Sequence, residues 1–354
     1  MPYYSTNFVL LKKRFMTTKF TIGADISKSK INFCLYIDNK CHIEREVAND
    51  TLELKKFINE VNSLIKNYEK EFKCIVDLVY ACEFTGIYNY ILTKILHERK
   101  INTFVIHAHN IKLSMGMKRE KNDVIDARMI AEYTIRFSDK LKLWLPDDAT
   151  ISELKCLETV RAKYVKIKKQ LTQSNDDNDK FMEPSINKKL NKINNPVIDS
   201  IEKAIEDIEM QMLDIIKNCE ELKKTYDILN SVPGVGPVIS RSIICITNNF
   251  TKFDSAKQFG CYCGVVPFNS SSGNYRGKNK VSKLANQDMK RIIHLGAMSV
   301  INSKNQFGQY YRRKRLEGKN HMLVINNLRN KIIITAFACV GKGQKYKEDY
   351  VYSS

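Results

Sequence analysis

Residues 118–133 read KREKNDVIDARMIAEY. The stretch predicts a helix and sets Asp123 and Asp126 three residues apart on it. Side chains at i and i+3 share a helix face, so both carboxylates can address one point. Two adjacent carboxylates repel unless a cation sits between them. Mg²⁺ accepts such oxygen ligands and completes its shell with waters and substrate phosphates. An isolated pair of this kind is usually a solvated helix face. Two acids further upstream change the reading.

Upstream, residues 19–25 (KFTIGAD) predict an apolar, β-branched strand that ends in Asp25. Residues 31–37 (INFCLYI) and 41–47 (CHIEREV) predict two more strands. Short turns join the three, so they should pair as antiparallel neighbours. Residues 51–68 carry Leu52, Leu54, Phe57, Ile58, Val61, Leu64 and Ile65, the spacing of an amphipathic helix. Residues 74–82 (CIVDLVYAC) predict a buried strand that runs into Glu83. A helix over 87–98 and a strand over 101–106 follow. The order β-β-β-α-β-α-β-α is that of an α/β, RNase H-like (RuvC-like) fold. In that fold, carboxylates at the ends of the first and fourth strands and on a late helix converge on metal ions. Asp25, Glu83, Asp123 and Asp126 fall at those places. Two metals held by carboxylates can clamp the attacking and leaving oxygens of a phosphodiester, which is nuclease-like chemistry.

Downstream, residues 150–228 change character. Leu157, Val160, Tyr164, Ile167 and Leu171 recur by three and four, as do Ile201, Ile205, Ile208, Met212, Ile215, Cys219 and Leu222. These are coiled-coil spacings. Pro184 and Pro196 are expected to interrupt the polar stretch between them. The segment predicts two long helices, forming an antiparallel arm or a dimer seam. Residues 229–246 (LNSVPGVGPVISRSIICI) resemble a helix-hairpin-helix. There Gly234 and Gly236 allow a tight turn, and exposed N–H groups at the second helix start can hold a phosphate. The C-terminal part reads as mainly α.

The chain has 354 residues, a formal net charge of +19 and pI about 9.3, which point to a polyanionic partner. Lys outnumbers Arg 44 to 14, so where the charge sits says more than its total. From residue 270 to 320 there are twelve Lys or Arg and two Asp or Glu. That is a phosphate-binding surface in kind. Its candidate contacts are Arg276, Lys278, Lys280, Lys283, Lys290, Arg291, Arg312 and Arg313, interleaved with Tyr275, Phe307, Tyr310 and Tyr311. Three serines, Ser270, Ser271 and Ser272, precede Gly273 in this region, with no His or Asp nearby in sequence to complete a hydrolase triad. Residues 321–340 predict an apolar core helix.

The ten cysteines contain no C-x-x-C and no zinc-type spacing, which suits reduced thiols. His107 and His109 read as solvated or structural. No run reaches the roughly 18 apolar residues of a membrane span, and residues 1–15 lack the layout of a signal peptide. Met16 is a candidate start, since the first confident strand begins just after it.

The motifs TIGADISKSK (21–30), ACEFTGIYNY (81–90) and KNDVIDARMIAEY (121–133) resemble the N-terminal domain of DEDD insertion-sequence transposases. LNSVPGVGP (229–237), F-x-x-x-K-Q-F-G-C-Y-C-G-V-V-P (253–267), SSG (271–273) and V-S-K-x-x-N-x-x-M-K-R (281–291) resemble their C-terminal domain. This is the insertion-sequence-one-ten family, which includes pilin-gene invertases. The resemblance covers about residues 19–340, with every block in family order. It implies an N-terminal extension (1–18), a RuvC-like DEDD domain (19–149), coiled-coil helices (150–228), a C-terminal transposase domain (229–342) and a polar tail (343–354). It further implies site-specific DNA recombination. Asp25, Glu83, Asp123 and Asp126 would bind two Mg²⁺ ions, with Mn²⁺ as a substitute, and Ser272 would attack the DNA backbone. The implied partners are donor DNA, target DNA, a structured noncoding guide RNA, and further copies of the chain as a dimer or synaptic tetramer. No membrane partner is implied, and the implied location is the prokaryotic cytoplasm at the nucleoid. One departure is Ala285, which stands where the family more often has glycine and is expected to stiffen that turn. The competing readings are a metal-dependent junction-resolving nuclease with no covalent intermediate and an inactive nucleic-acid-binding relic.

Overall fold

A computed structural model of the chain describes residues 17–115, 122–268, 271–272, 275–276, 280–282 and 284–348. Residues 1–16 of the expected extension, with the candidate start Met16, and the end of the polar tail lie outside the described residues. The chain divides into two compact units, residues 1–146 and 147–354.

The first unit is built on a five-stranded sheet. Its elements are β1 (Thr17–Ile26), β2 (Lys30–Ile37), β3 (Lys40–Ala48), α1 (Thr51–Phe72), β4 (Ile75–Glu83), α2 (Tyr90–Glu98), β5 (Asn102–Ile106), α3 (Ala108–Met115) and α4 (Asp123–Arg136). The strand order is β3-β2-β1-β4-β5. β1 is antiparallel to β2 and parallel to β4, and β4 is parallel to β5. This is the RNase H-like arrangement the element order predicts. The element missing from that prediction is α3. The helix with the acid pair is α4. Asn122 caps it by accepting from the Val124 amide at 3.2 Å, so Asp123 is its first residue.

The period-2 alternation of β1 sends its side chains to two different layers. Phe20, Ile22, Ala24 and Ile26 join Ile31, Phe33 and Leu35 of β2 under α1 and α2, where Phe33 stacks on Phe57 at 4.3 Å between centroids. The opposite face carries Gly23 and Asp25, with Cys34 and Tyr36 of β2 packed on Ala127 and Ala131 of α4. The first layer depends on the start of α1. Asp50 accepts from the amides of Leu52 (2.9 Å) and Glu53 (3.0 Å). Asp50→Ala is therefore expected to lower the stability of this unit by about 1 kcal/mol, measured by chemical denaturation.

The second unit is helical. It contains α5 (Ala149–Phe181), α6 (Pro184–Asn218), α7 (Glu220–Asn230), α8 (Pro237–Thr247) and α9 (Ala256–Tyr262). Four two-residue strands follow: β6 (Pro267–Phe268), β7 (Ser271–Ser272), β8 (Tyr275–Arg276) and β9 (Lys280–Val281). It ends with α10 (Gln287–Val300), α11 (Gln306–Leu316) and α12 (His321–Lys342). α5 and α6 are each about 50 Å long at 1.5 Å per residue. The two-residue link between them makes them antiparallel, so the coiled-coil seam closes within the chain.

Two expectations for this hairpin are corrected. Pro196 does not interrupt the pattern; it lies inside α6, while Pro184 begins that helix. A proline in a helix interior costs about 3 kcal/mol or more through its missing N–H and its clash with the preceding turn. The packing of α6 along α5 offsets that cost. Val160 is not in the seam but 41% exposed. Leu157 and Tyr164 are packed on the core, together with Ile208, Met212 and Ile216. Towards the tip the contacts turn polar: Asp179 accepts from buried Asn187, and Asn194 donates to Asn175 at 2.8 Å. At the root, Arg241, only 2% exposed, pairs with Glu209 at 3.0 Å. Arg161 reaches the same carboxylate at 2.5 Å.

The roots of α5 and α6 share one core with α7, α8, α10 and α12. Among the described residues, α12 is the one helix long and apolar enough to cross a membrane. Its Ile325, Leu328, Ile332, Ile333 and Ala336 are buried in this core, as the sequence predicts for a core helix.

Candidate active site

Asp25 and Gly23 lie two residues apart on β1, so both face α4. A methyl group at Gly23 would lie 2.2 Å from the Ala127 carbonyl oxygen and 2.6 Å from the Ala131 amide nitrogen. Only glycine lets the α4 backbone sit this close to the sheet. The closest approach falls one residue after Asp126 on the helix and two residues before Asp25 on the strand. That single contact sets the helix acids against the strand acid.

Glu83 comes to the same edge by register. Ala24 pairs with Cys82 and Glu83 pairs with Ile106, so Glu83 closes β4 beside the end of β1. Ala81, two residues before it, packs with Met129, Ile130 and Tyr133 of α4, which puts Glu83 on the α4 face as well. The turn after Glu83 is pinned. Buried Asn89 donates to the Glu83 carbonyl at 2.7 Å and accepts from the Thr85 amide at 2.6 Å. The Phe84 amide donates to the Ile106 carbonyl at 2.9 Å. Sequence reading found the helix that follows Glu83 but missed the role of Asn89.

Asp25, Glu83 and Asp126 are half-buried, and Asp123 is exposed. Asp123 and Asp126 occupy the first turn of α4, where the helix dipole favours negative charge. Asn32, 5% exposed, stands opposite Asp25 on β2. Lys30, also missed in the sequence, places Nζ 2.6 Å from Glu46 and 3.8 Å from Asp123. Glu46 foremost, with Asp123 adding to it, holds the Lys30 ammonium above its ordinary range.

The four acids share one edge, but no three of them bring oxygens within 4.8 Å of one another. The trio that does so among the described residues is Cys34, Cys41 and Glu44, with the two sulfurs 3.3 Å apart. Its carboxylate is already paired with Arg128 of α4, which holds Glu44 below its usual range.

In the second unit, the segment after α9 folds back on itself. β6 pairs antiparallel with β9, and β7 with β8. Ser271 faces Arg276 and Ser272 faces Tyr275 in that register. For Ser272, Arg276 and Lys280 the backbone alone is described; Ser270, Lys278 and Lys283 lie outside the described residues. Asn326 of α12 holds the root of this segment by donating to the Val265 carbonyl at 2.8 Å. Gly264 adopts a left-handed φ of +64°, and a methyl group there would lie 2.4 Å from the Ala285 Cβ. The departure at position 285 is thus a methyl seated on this turn.

Lys290 and Arg291 lie on α10, and Arg312 and Arg313 on α11. Lys331 and Arg313 flank the Tyr310 ring at 4.7 and 5.8 Å, lining an open groove of about 580 Å³. Such an aromatic face between cations suits stacking of a base. Gly234 has φ +85°, and a methyl group there would lie 2.8 Å from the Gly296 carbonyl oxygen of α10. Helix packing therefore already requires this glycine. Gly236, ahead of Pro237, faces open space.

A family model for transposases matches residues 22–175, and one for the transposase IS116/IS110/IS902 family matches residues 226–312, together more than half of the chain. The pilin gene-inverting protein of Moraxella lacunata is 20% identical over 93% of this chain and 98% of its own length. An uncharacterized insertion element IS110 protein of Streptomyces coelicolor is 28% identical over 120 residues, 34% of this chain. That match spans 30% of the Streptomyces protein's own length. A solved structure of Thermus thermophilus RuvC in complex with a Holliday junction substrate is 9% identical, with a TM-score of 0.26, covering 36% of this chain and 99% of that one. By the two family models and this relative that runs its full length, the chain belongs to the IS116/IS110/IS902 family of transposases.

Proposed function

We propose that this protein is a site-specific DNA recombinase of an insertion sequence, which cuts and rejoins DNA through a serine nucleophile assisted by metal-binding carboxylates. The observation that supports it best is the gathering of Asp25, Glu83, Asp123 and Asp126 at one edge of the face covered by α4. Four carboxylates form an all-oxygen donor set, which fits a hard divalent ion such as Mg²⁺, with Mn²⁺ as a substitute. These four residues would hold it, and its charge would offset the charge that develops on the phosphodiester oxygens. In this reading the Ser272 oxygen forms a bond to phosphorus as the bond to the leaving strand breaks. The phosphoserine link keeps the phosphodiester energy, so strands can be resealed without ATP. The basic residues of α10 and α11, with the turn at Gly234 and Gly236, would hold DNA and RNA backbones. Target choice would rest with a noncoding guide RNA, by base pairing. The working form would be a dimer or tetramer in the cytoplasm, at the nucleoid.

The test is a cleavage reaction with Mg²⁺ and the element's own flanking DNA and RNA, denatured to trap protein on labelled DNA. The expected result is an adduct that Ser272→Ala removes while the protein stays folded. Cut DNA with no adduct in the wild type would replace this reading with a junction-resolving nuclease. An adduct that survives in the variant would move the nucleophile to Ser271 or Ser270.

A further inference from the structure

Arg329 of α12 is 7% exposed, yet it is a permanent cation. The other buried arginine, Arg241, has Glu209 at 3.0 Å. Among the described residues no carboxylate pairs with Arg329. Among the described residues its hydrogen-bond partner is a neutral ring: Nη2 donates to Nδ1 of His294 on α10 at 2.7 Å, and its buried Nε has none there. A guanidinium can only donate, so His294 Nδ1 must accept and the imidazole proton sits on Nε2. Burial, with the Arg329 charge and then His321 adding to it, pushes His294 below its ordinary range, so it stays neutral. His321 belongs to the same neighbourhood and accepts or donates at 2.7 Å with the Tyr311 hydroxyl. The cluster therefore holds donors and positive charge with no counter-ion among the described residues. Burying a charge unpaired is costly, and such groups are usually paired or hydrogen-bonded throughout.

The location matters as much as the charge. Asn326, one helical turn before Arg329 on α12, holds the Val265 carbonyl at the root of the serine-bearing segment. Asn330, the next residue, lies against Gly260 of α9. Arg329 thus stands where α10 and α12 meet beside that root.

We infer that Arg329 and His294 form a receiving site for one backbone phosphate of the nucleic acid strand handled by the adjacent serine segment. This rests on the nucleic-acid reading above. The guanidinium would supply the charge, and His294 Nε2–H a donor. Arg329 is a positioning residue in this role, since it places the strand rather than the reacting atoms.

The test is binding of a labelled single-stranded oligodeoxynucleotide to the full chain across a salt series. Each phosphate contact contributes about 0.7 to the slope of log K against log salt for a single strand. Arg329→Gln is expected to lower the slope by about that one contact. A folded variant that keeps the wild-type slope overturns the inference, because a merely structural role would leave the slope alone. His294→Glu keeps the test open if Arg329→Gln does not fold. It supplies the missing carboxylate, so thermal stability should hold or rise while the slope falls by the same amount. Wild-type slope in a folded His294→Glu protein overturns the site. A wild-type protein that binds no oligonucleotide would instead overturn the nucleic-acid reading itself, and this site with it.

Discussion

Replacing Gly23 with alanine is expected to destabilise the first unit by about 3 kcal/mol, the upper end of the range for inserting a methyl into a packed core. The added methyl would meet the Ala127 carbonyl oxygen at 2.2 Å and the Ala131 amide nitrogen at 2.6 Å. Both are helix backbone, so no rotamer change can relieve the clash. The helix itself must move away from β1. That shift would open the layer in which Cys34 and Tyr36 pack on Ala127 and Ala131, and it would carry Asp126 away from Asp25. Chemical denaturation should show the stability loss, and strand cleavage should fall with it even where the protein remains folded. A Gly23→Ala protein with an unchanged midpoint would mean that α4 does not seat on β1 in this way.

Gly23 also shows where sequence reading stops. The strands were legible because β-branched alternation and short turns are local signals, and Asp25 and Glu83 stood out because each closes an apolar run. Nothing local marks Gly23 as the point where a helix 100 residues later must touch the strand. Such a contact exists only once the sheet is paired. Pro196 was misread because a local rule was applied to a helix that packing along α5 sustains. Asn89, Lys30 and Arg329 escaped notice because each earns its role from a partner distant in the chain or from burial. The first serves the turn at Glu83, the second reaches Asp123, and the third is a charge inside an apolar helix. The seam of α6 was legible from Ile201 to Ile215, each position at least half-buried, but the same repeat runs on to Leu222 and so hid the break at Cys219, where α6 ends and α7 begins.

Asp126→Asn should abolish strand cleavage, by about 10³-fold or more if one charge-stabilising group carries that much, while leaving nucleic-acid binding intact. The substitution keeps shape and removes charge. The fold should survive, because the Asp126 amide still donates to the Asn122 carbonyl at 3.0 Å and Ala127 still seats on Gly23. The local cost is one favourable charge in the first turn of α4, roughly 0.3–1 kcal/mol. Binding should hold or tighten, since the variant removes a negative charge near a phosphate backbone and leaves the basic residues of α10 and α11 in place. Asp123→Asn should lose less. Asp123 is exposed and shares Lys30 at 3.8 Å, whereas Asp126 is half-buried beside the point where helix and strand are locked together. Cleavage and binding measured side by side on the two variants separate the ideas. Unchanged cleavage in Asp126→Asn would remove this residue from the carboxylate set. A deeper loss in Asp123→Asn would show that the exposed end of the helix, rather than its docked turn, carries the chemistry.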